Sequence, residues 1–387
     1  MRLLILLPFF TYGGAEKQAT ILACRLSELG HEVMACAFQT PRSEAPLKAE
    51  LESKGIACYE LPFIPNFDFT LSPERSIWTR LIEGLKRYEQ IHRLTYFLPP
   101  GRFDVVVPFT SWSSLVAIWF REKLDASVVV WNHRGGYDAG GLNYSPELIQ
   151  KVREVHPVFV ANSKAGALFL NDKLAFGSSP IHLIRNFIEY DLTCFPDPEN
   201  AFRVQNTRCQ LLQVANFFPE KDFDTLIRAI RLLKAACVPC HLHLAGNFPD
   251  ETQKHHFLRG LSEMGVSDIV THHGELDQEG VIALLKKVDI GVLSSKSEGC
   301  PNSVMEYMYW GLPVIGSDIP GIRDLVGDED SQWLFKVGDA EGMKGLVERL
   351  AGDHSLRANI GQGNQQRLSE LFDVDAVMAL WRNVLSL

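Results

Sequence analysis

Short apolar runs alternate with stretches of helical periodicity through both halves of the chain, the pattern of a parallel sheet with helices on its two faces. Leu3 to Leu7 predicts a first, buried strand, and the loop Pro8 to Gly14 leads into a helix. Its apolar residues Ala15, Ala19, Leu22, Leu26 and Leu29 fall at helical spacing, and Gly30 suits the C-cap. Further strands are predicted at Val33 to Phe38, Val105 to Phe109, Val128 to Trp131 and Val158 to Ala161. A second series begins at Leu211 to Ala215 and runs through a helix at about 223–236 to strands at Leu242 to Ala245 and Ile290 to Leu293. Between the series, Asp191 to Asn206 is rich in Pro, Asp and Asn and reads as a linker.

With 387 residues, the chain exceeds the usual size of one hydrophobic core, so two domains are expected. The pattern sets them at 1–190 and 191–373, with 374–387 as a closing segment. A composition of 46% hydrophobic and 22% charged residues is that of a globular protein. The net charge of -9 argues against a phosphate-tracking surface, so no nucleic acid is expected as a partner. The opening MRLLILLPFF is followed by polar residues and no small-residue cleavage site, which reads as a strand rather than a leader. No run approaches the roughly 18 apolar residues of a membrane span. Eight scattered cysteines fit reduced thiols, and together these readings predict a cytoplasmic protein.

The most informative stretch is Ser297 to Asp318, SEGCPNSVMEYMYWGLPVIGSD. Pro301 suits the first turn of a helix and Gly311 its end, ahead of a strand at Pro313 to Gly316. The backbone N–H groups of Asn302, Ser303 and Val304 would then face outward, where aligned peptide dipoles favour a diphosphate. Glu298 just before that helix and Glu306 within it can accept hydrogen bonds from hydroxyls. These residues, E-G-x-P-x-x-x-x-E followed by G-x-P-V-I, resemble the retaining GT-B glycosyltransferases of family 4. The resemblance implies two Rossmann-like α/β domains with parallel sheets facing an interdomain cleft: an N-terminal acceptor domain and a C-terminal donor domain. It implies that Glu298 contacts the transferred hexose and Glu306 the nucleotide ribose. It also implies that 374–387 returns to pack on the N-terminal domain.

Val214 to Lys221, VANFFPEK, links a strand to a helix, and the resemblance assigns Lys221 to the diphosphate. Many members carry an arginine five residues earlier; here the position is Asn216, itself a candidate for substrate binding, leaving one cation where the pattern often has two. In the N-terminal half, Gly13 and Gly14 allow close backbone approach to a sugar or phosphate. The absence of G-x-G-x-x-G there disfavours a nicotinamide cofactor. Asn132, His133 and Arg134 leave a strand at its carboxyl end, where ligands bind in open α/β sheets, and the resemblance turns His133 toward the donor sugar.

Three other signals have simpler readings. Cys237-Val-Pro-Cys240-His241 matches a haem-attachment pattern, with His243 nearby, but fits a helix end running into a strand. Asp328-Glu329-Asp330 has the form of a metal-using D-x-D and reads as a polar turn. The helical pattern over 77–98 pairs Trp78, Leu81, Leu85 and Tyr88 with Arg80, Lys86, Arg87 and Arg93. It can lie on an anionic membrane, at the inner face for a cytoplasmic protein, but a packed helix with a solvated basic face is the simpler reading.

The expected activity is transfer of a hexose, with retention, from an NDP-sugar, a UDP-sugar first among them. The acceptor is a hydroxyl of a glycan, lipid-linked or small-molecule substrate. No metal and no cofactor are expected. The other classes consistent with the same residues are a non-hydrolysing sugar-nucleotide epimerase and a catalytically silent sugar-nucleotide-binding protein.

Overall fold

The computed structural model describes residues 1–11, 13–38, 45–63, 89–90, 92–136, 144, 146–174, 179–188, 190, 192, 194–196, 208–372 and 374–386. Residues 77–88 and 91 of the basic amphipathic pattern lie outside the described residues. The chain forms two compact units: Met1–Phe187 with Asp375–Leu387, and Ile188–Val374.

The first unit holds a parallel sheet of β1 (Arg2–Leu6), β2 (Glu32–Phe38), β3 (Ala57–Leu61), β4 (Val105–Pro108), β5 (Val128–His133), β6 (Val158–Ala161) and β7 (Ile181–Leu183). Their order is β3-β2-β1-β4-β5-β6-β7. Strands β1 and β4 are buried almost throughout, because helices cover both faces of a parallel sheet and leave no wet side. The helix Gly14–Glu28 follows β1 and stops where Gly30 takes φ +84, a left-handed turn that a residue with Cβ resists. Gln18, near the start of that helix, is clamped to the backbone of Phe187, donating to its carbonyl and accepting its N–H. At the chain's end, the helix Val374–Leu385 brings Trp381 to stack on Phe109 at 6.2 Å, both within this unit.

The second unit repeats the plan with β8 (Cys209–Val214), β9 (Cys240–Ala245), β10 (Val270–His272), β11 (Ile290–Leu293), β12 (Val314–Ser317) and β13 (Leu334–Phe335). Their order is β10-β9-β8-β11-β12-β13, all pairs parallel. Successive residues point to opposite faces, so Leu211 enters one core and Leu212 the other. In both sheets the order reverses beside the first strand, between β1 and β4 and between β8 and β11. Ligands of open α/β sheets bind outside the carboxyl ends of strands at such a reversal. Among the described residues, no helix is long and apolar enough to cross a membrane.

Candidate active site

At the reversal in the second sheet, β8 and β11 pair only through Ile290 with Leu211 and Gly291 with Leu212, then splay apart. Side chains take over the bridging. The Gln213 carboxamide oxygen accepts the N–H of Ser294 at 2.9 Å, and the Ser294 hydroxyl donates to the Asp222 carbonyl at 2.9 Å. The Ser295 hydroxyl donates to the Glu220 carbonyl at 3.0 Å, which also accepts the Lys296 N–H at 2.7 Å. These bonds tie the loop after β8 to the loop after β11, and the two loops carry Lys221 and Glu298.

Lys221 Nζ is ion-paired with Glu298 Oε1. Both side chains are largely buried, at 20% and 10% exposure, so their attraction is less screened than that of a surface pair. Glu298 is held from behind by the helix Pro320–Val326, which approaches so closely that a Cβ on Gly321 would overlap the carbonyl oxygens of Glu298 and Gly299.

The helix Asn302–Tyr309 supplies Glu306 on a half-buried face and buries Val304 fully. Pro301 lies at the N-cap, just ahead of the helix, not inside its first turn as the sequence suggested. At φ -69 and ψ 120 its backbone is still extended, and its own side chain has no group with which to cap the helix. The opposite end is well satisfied: Gln365 donates to the Tyr309 carbonyl at 3.0 Å and Asn364 to the Leu312 carbonyl at 2.8 Å, around the left-handed Gly311. The N-terminal end thus keeps the partial positive charge that suits an anion. Tyr307 pins the helix to both strands, its hydroxyl accepting the Val214 N–H at 2.8 Å and facing the Val292 carbonyl at 3.4 Å. Gly291 has no room for a side chain beneath the Tyr307 ring. Burial pushes that phenol well above its ordinary range and keeps it a donor.

Asn216 turns its carboxamide oxygen to the N–H of Asn247, at 2.9 Å, beside Gly246, where a Cβ would overlap the Ala215 carbonyl. Where many family members carry a second cation, this side chain shapes the loop.

In the first unit His133 ends β5 as a packed ring, stacked on Phe169 at 4.7 Å with Nε2 at 3.1 Å from the Gly136 carbonyl. Burial lowers its pKa and holds the imidazole neutral. Gly13 caps the helix Gly14–Glu28 in an extended conformation that any residue could adopt. The Glu16 carboxyl, the far end of a flexible side chain, occupies the place a Gly13 Cβ would take. Burial pushes that carboxyl up to about 7. Sequence reasoning passed over Glu16, because an acid in a first helical turn is ordinary dipole complementation.

The set-aside patterns dissolve into structure. Cys240 is buried in β9 and Cys237 is exposed, both as free thiols. His243 bonds His273 at 2.9 Å and Gln210 at 2.9 Å. Asp328 is exposed and near Arg323, and among the described residues no group of three or more His, Cys, Asp or Glu is arranged to hold a metal.

Comparison with known proteins shows the family and the fold. Residues 12–192 match the model of Glycosyltransferase Family 4 and residues 198–367 that of Glycosyl transferases group 1. The chain is 26% identical over 315 residues to the lipopolysaccharide core biosynthesis glycosyltransferase LpsE of Rhizobium meliloti, covering 80% of this chain and 87% of LpsE. It is 23% identical to the N-acetyl-alpha-D-glucosaminyl L-malate synthase of Bacillus anthracis, covering 96% and 93%. The crystal structure of Anabaena HepE with UDP and glucose superposes with a TM-score of 0.74 at 17% identity, covering 100% of this chain and 99% of that one. The two α/β units are therefore those of the GT-B fold, and the protein is a glycosyltransferase belonging to the group 1, family 4 enzymes.

Proposed function

We propose that the protein is a retaining hexosyltransferase that takes its sugar from an NDP-sugar, preferentially a UDP-sugar, and delivers it to a hydroxyl of a glycan, lipid-linked or small-molecule acceptor. The observation that supports this reading is the ion pair of Lys221 with Glu298 at the sheet reversal, on the loop that leads into the helix Asn302–Tyr309 carrying Glu306. On donor binding, Lys221 exchanges Glu298 for the diphosphate, and the freed carboxylate takes the hexose hydroxyls. Glu306 accepts the ribose hydroxyls. Lys221 and the helix end then stabilise the charge that develops on the departing diphosphate, which is electrostatic assistance to a leaving group. This requires no divalent ion and no cofactor. The solved neighbour's complex with UDP and glucose supports the choice of donor, and the lipopolysaccharide role in the name of LpsE supports a glycan acceptor. Cytoplasmic residence fits both.

A thermal-shift screen of nucleotide sugars is the first test, since a ligand that prefers the folded state raises its melting temperature. Proton NMR of the product's anomeric centre then reads retention. No stabilisation by any UDP-, GDP- or ADP-sugar sinks the proposal, and turnover abolished by EDTA and restored by manganese sinks its metal-free form.

A further inference from the structure

A parallel ladder between β8 and β11 that continued past Leu212 would carry the Val214 N–H to the Val292 carbonyl and the Ser294 N–H to the Val214 carbonyl. Side chains answer both N–H groups instead. The Ser294 N–H goes to the Gln213 carboxamide oxygen, and the Tyr307 hydroxyl stands in the other place, accepting the Val214 N–H at 2.8 Å and facing the Val292 carbonyl at 3.4 Å. The phenol is thus a wedge between the two strands where the sheet reverses, and its ring fills the space over Gly291, where a Cβ would overlap it.

The same hydroxyl has a third partner. Ser303, one turn earlier in the helix Asn302–Tyr309, hydrogen-bonds it through its side chain. A phenol has one proton to give and lone pairs for two further bonds, so Val292, Val214 and Ser303 together use it fully. Each partner belongs to a different element: β11, the end of β8 and the first turn of the helix. Core packing does not call for this hydroxyl. Tyr307 is wholly buried in the cluster of Leu212, Leu293, Val304, Met308 and Leu312, which a phenyl ring would suit as well. What the oxygen adds is a link from the strand reversal to the turn where the N–H groups of Asn302, Ser303 and Val304 lie. With its hydroxyl turned inward to Tyr307, Ser303 meets a diphosphate at this helix end through its N–H.

We infer that Tyr307 is a positioning residue of the donor site: its hydroxyl, held between β8 and β11, fixes the Ser303 side chain and with it the aim of the helix's first turn at the diphosphate. Donor affinity then depends on a phenol that touches no part of the donor. This rests on the donor reading above.

The test is a double-mutant cycle on the full chain, with Ser303→Ala and Tyr307→Phe made singly and together. UDP is titrated by calorimetry and uridine by NMR, and melting curves are run beside them. Each single change should weaken UDP by about tenfold, toward the upper end for one neutral hydrogen bond. The double change should cost no more than the larger single one, because both cut the same link. Ser303→Ala should leave uridine binding unchanged, since that ligand lacks the phosphates, and Ser303→Thr, which keeps the hydroxyl, should restore UDP. Losses that multiply in the double variant overturn the inference, for Ser303 would then act on the donor by itself. Unchanged UDP affinity in folded Tyr307→Phe overturns it too. If Tyr307→Phe does not fold, 3-fluorotyrosine takes its place at position 307: the fluorine resonance should shift on Ser303→Ala without nucleotide, and an unmoved resonance rejects the link. UDP binding no tighter than uridine binding in the wild type sinks the donor reading instead, while the fluorine measurement still decides whether Tyr307 holds Ser303.

Discussion

Lys221 and Glu298, separated by 77 residues, meet as an ion pair across the strand reversal of the second sheet, each held by a loop stitched to the other. In the proposed reaction the lysine's partner becomes a diphosphate whose leaving oxygen gains charge as the glycosidic bond breaks. Its attraction is then stronger in the transition state than in the bound donor. Lys221→Ala should lower kcat on the order of 10²–10³, by analogy with removal of one preorganised oxyanion donor, and weaken donor affinity as well. Lys221→Arg should recover part of the loss, limited by the different placement of the guanidinium charge. Saturation kinetics with acceptor in excess decides: a raised KM at normal kcat would leave Lys221 a ground-state binder only.

Glu306 lies on the half-buried face of the helix Asn302–Tyr309. Glu306→Ala should weaken free UDP by roughly 1.5–3 kcal/mol, the range for hydrogen bonds to a charged group. Titration of UDP with no sugar present reads this directly. Unchanged affinity in a folded variant would contradict the ribose assignment.

Gly321 is required by space directly behind the backbone of Glu298 and Gly299. A Cβ there would overlap the carbonyls of Glu298 and Gly299, so Gly321→Ala must push that segment or the helix Pro320–Val326 aside. A 1 Å displacement of a positioning element can cost on the order of 10²-fold in rate. The expected variant melts lower by a few degrees and turns over at least tenfold more slowly. Wild-type kinetics would show that Glu298 need not be held this tightly.

His243 should make the second unit acid-sensitive. Burial first, then the neighbouring His241, His273 and Lys287, lower its pKa from 6.5 to about 4. The unfolded chain therefore binds the proton more readily than the folded one between those values. Stability is full above about pH 6.5 and lost as the pH falls toward 4. After allowance for partial solvent screening the loss is about 1–2 kcal/mol. Urea midpoints at pH 7.5 and 4.5 should fall less far apart in His243→Gln than in the wild type, and equal falls would dismiss this histidine as the cause.

The sequence by itself determined the α/β alternation and the helix that follows the E-G-x-P motif. Strands β6 and β11 occupy the spans that their apolar runs predict, and the helix Asn302–Tyr309 ends at Gly311 in the left-handed conformation that its sequence position suggested. These features were legible because burial on a parallel sheet and helix termination are local: a run of apolar residues or one glycine carries the whole signal. Tertiary structure alone decided what the site's side chains touch. It paired Lys221 with Glu298, gave Asn216 to the Asn247 N–H, folded Glu16 over Gly13, and made Gly321 indispensable behind Glu298. It also enclosed His133 against Phe169. Each of these depends on which strand lies beside which, and periodicity is silent about that order. A glycine needed for space 23 residues along the chain from the residue it shelters looks no different, in sequence, from one needed for a turn.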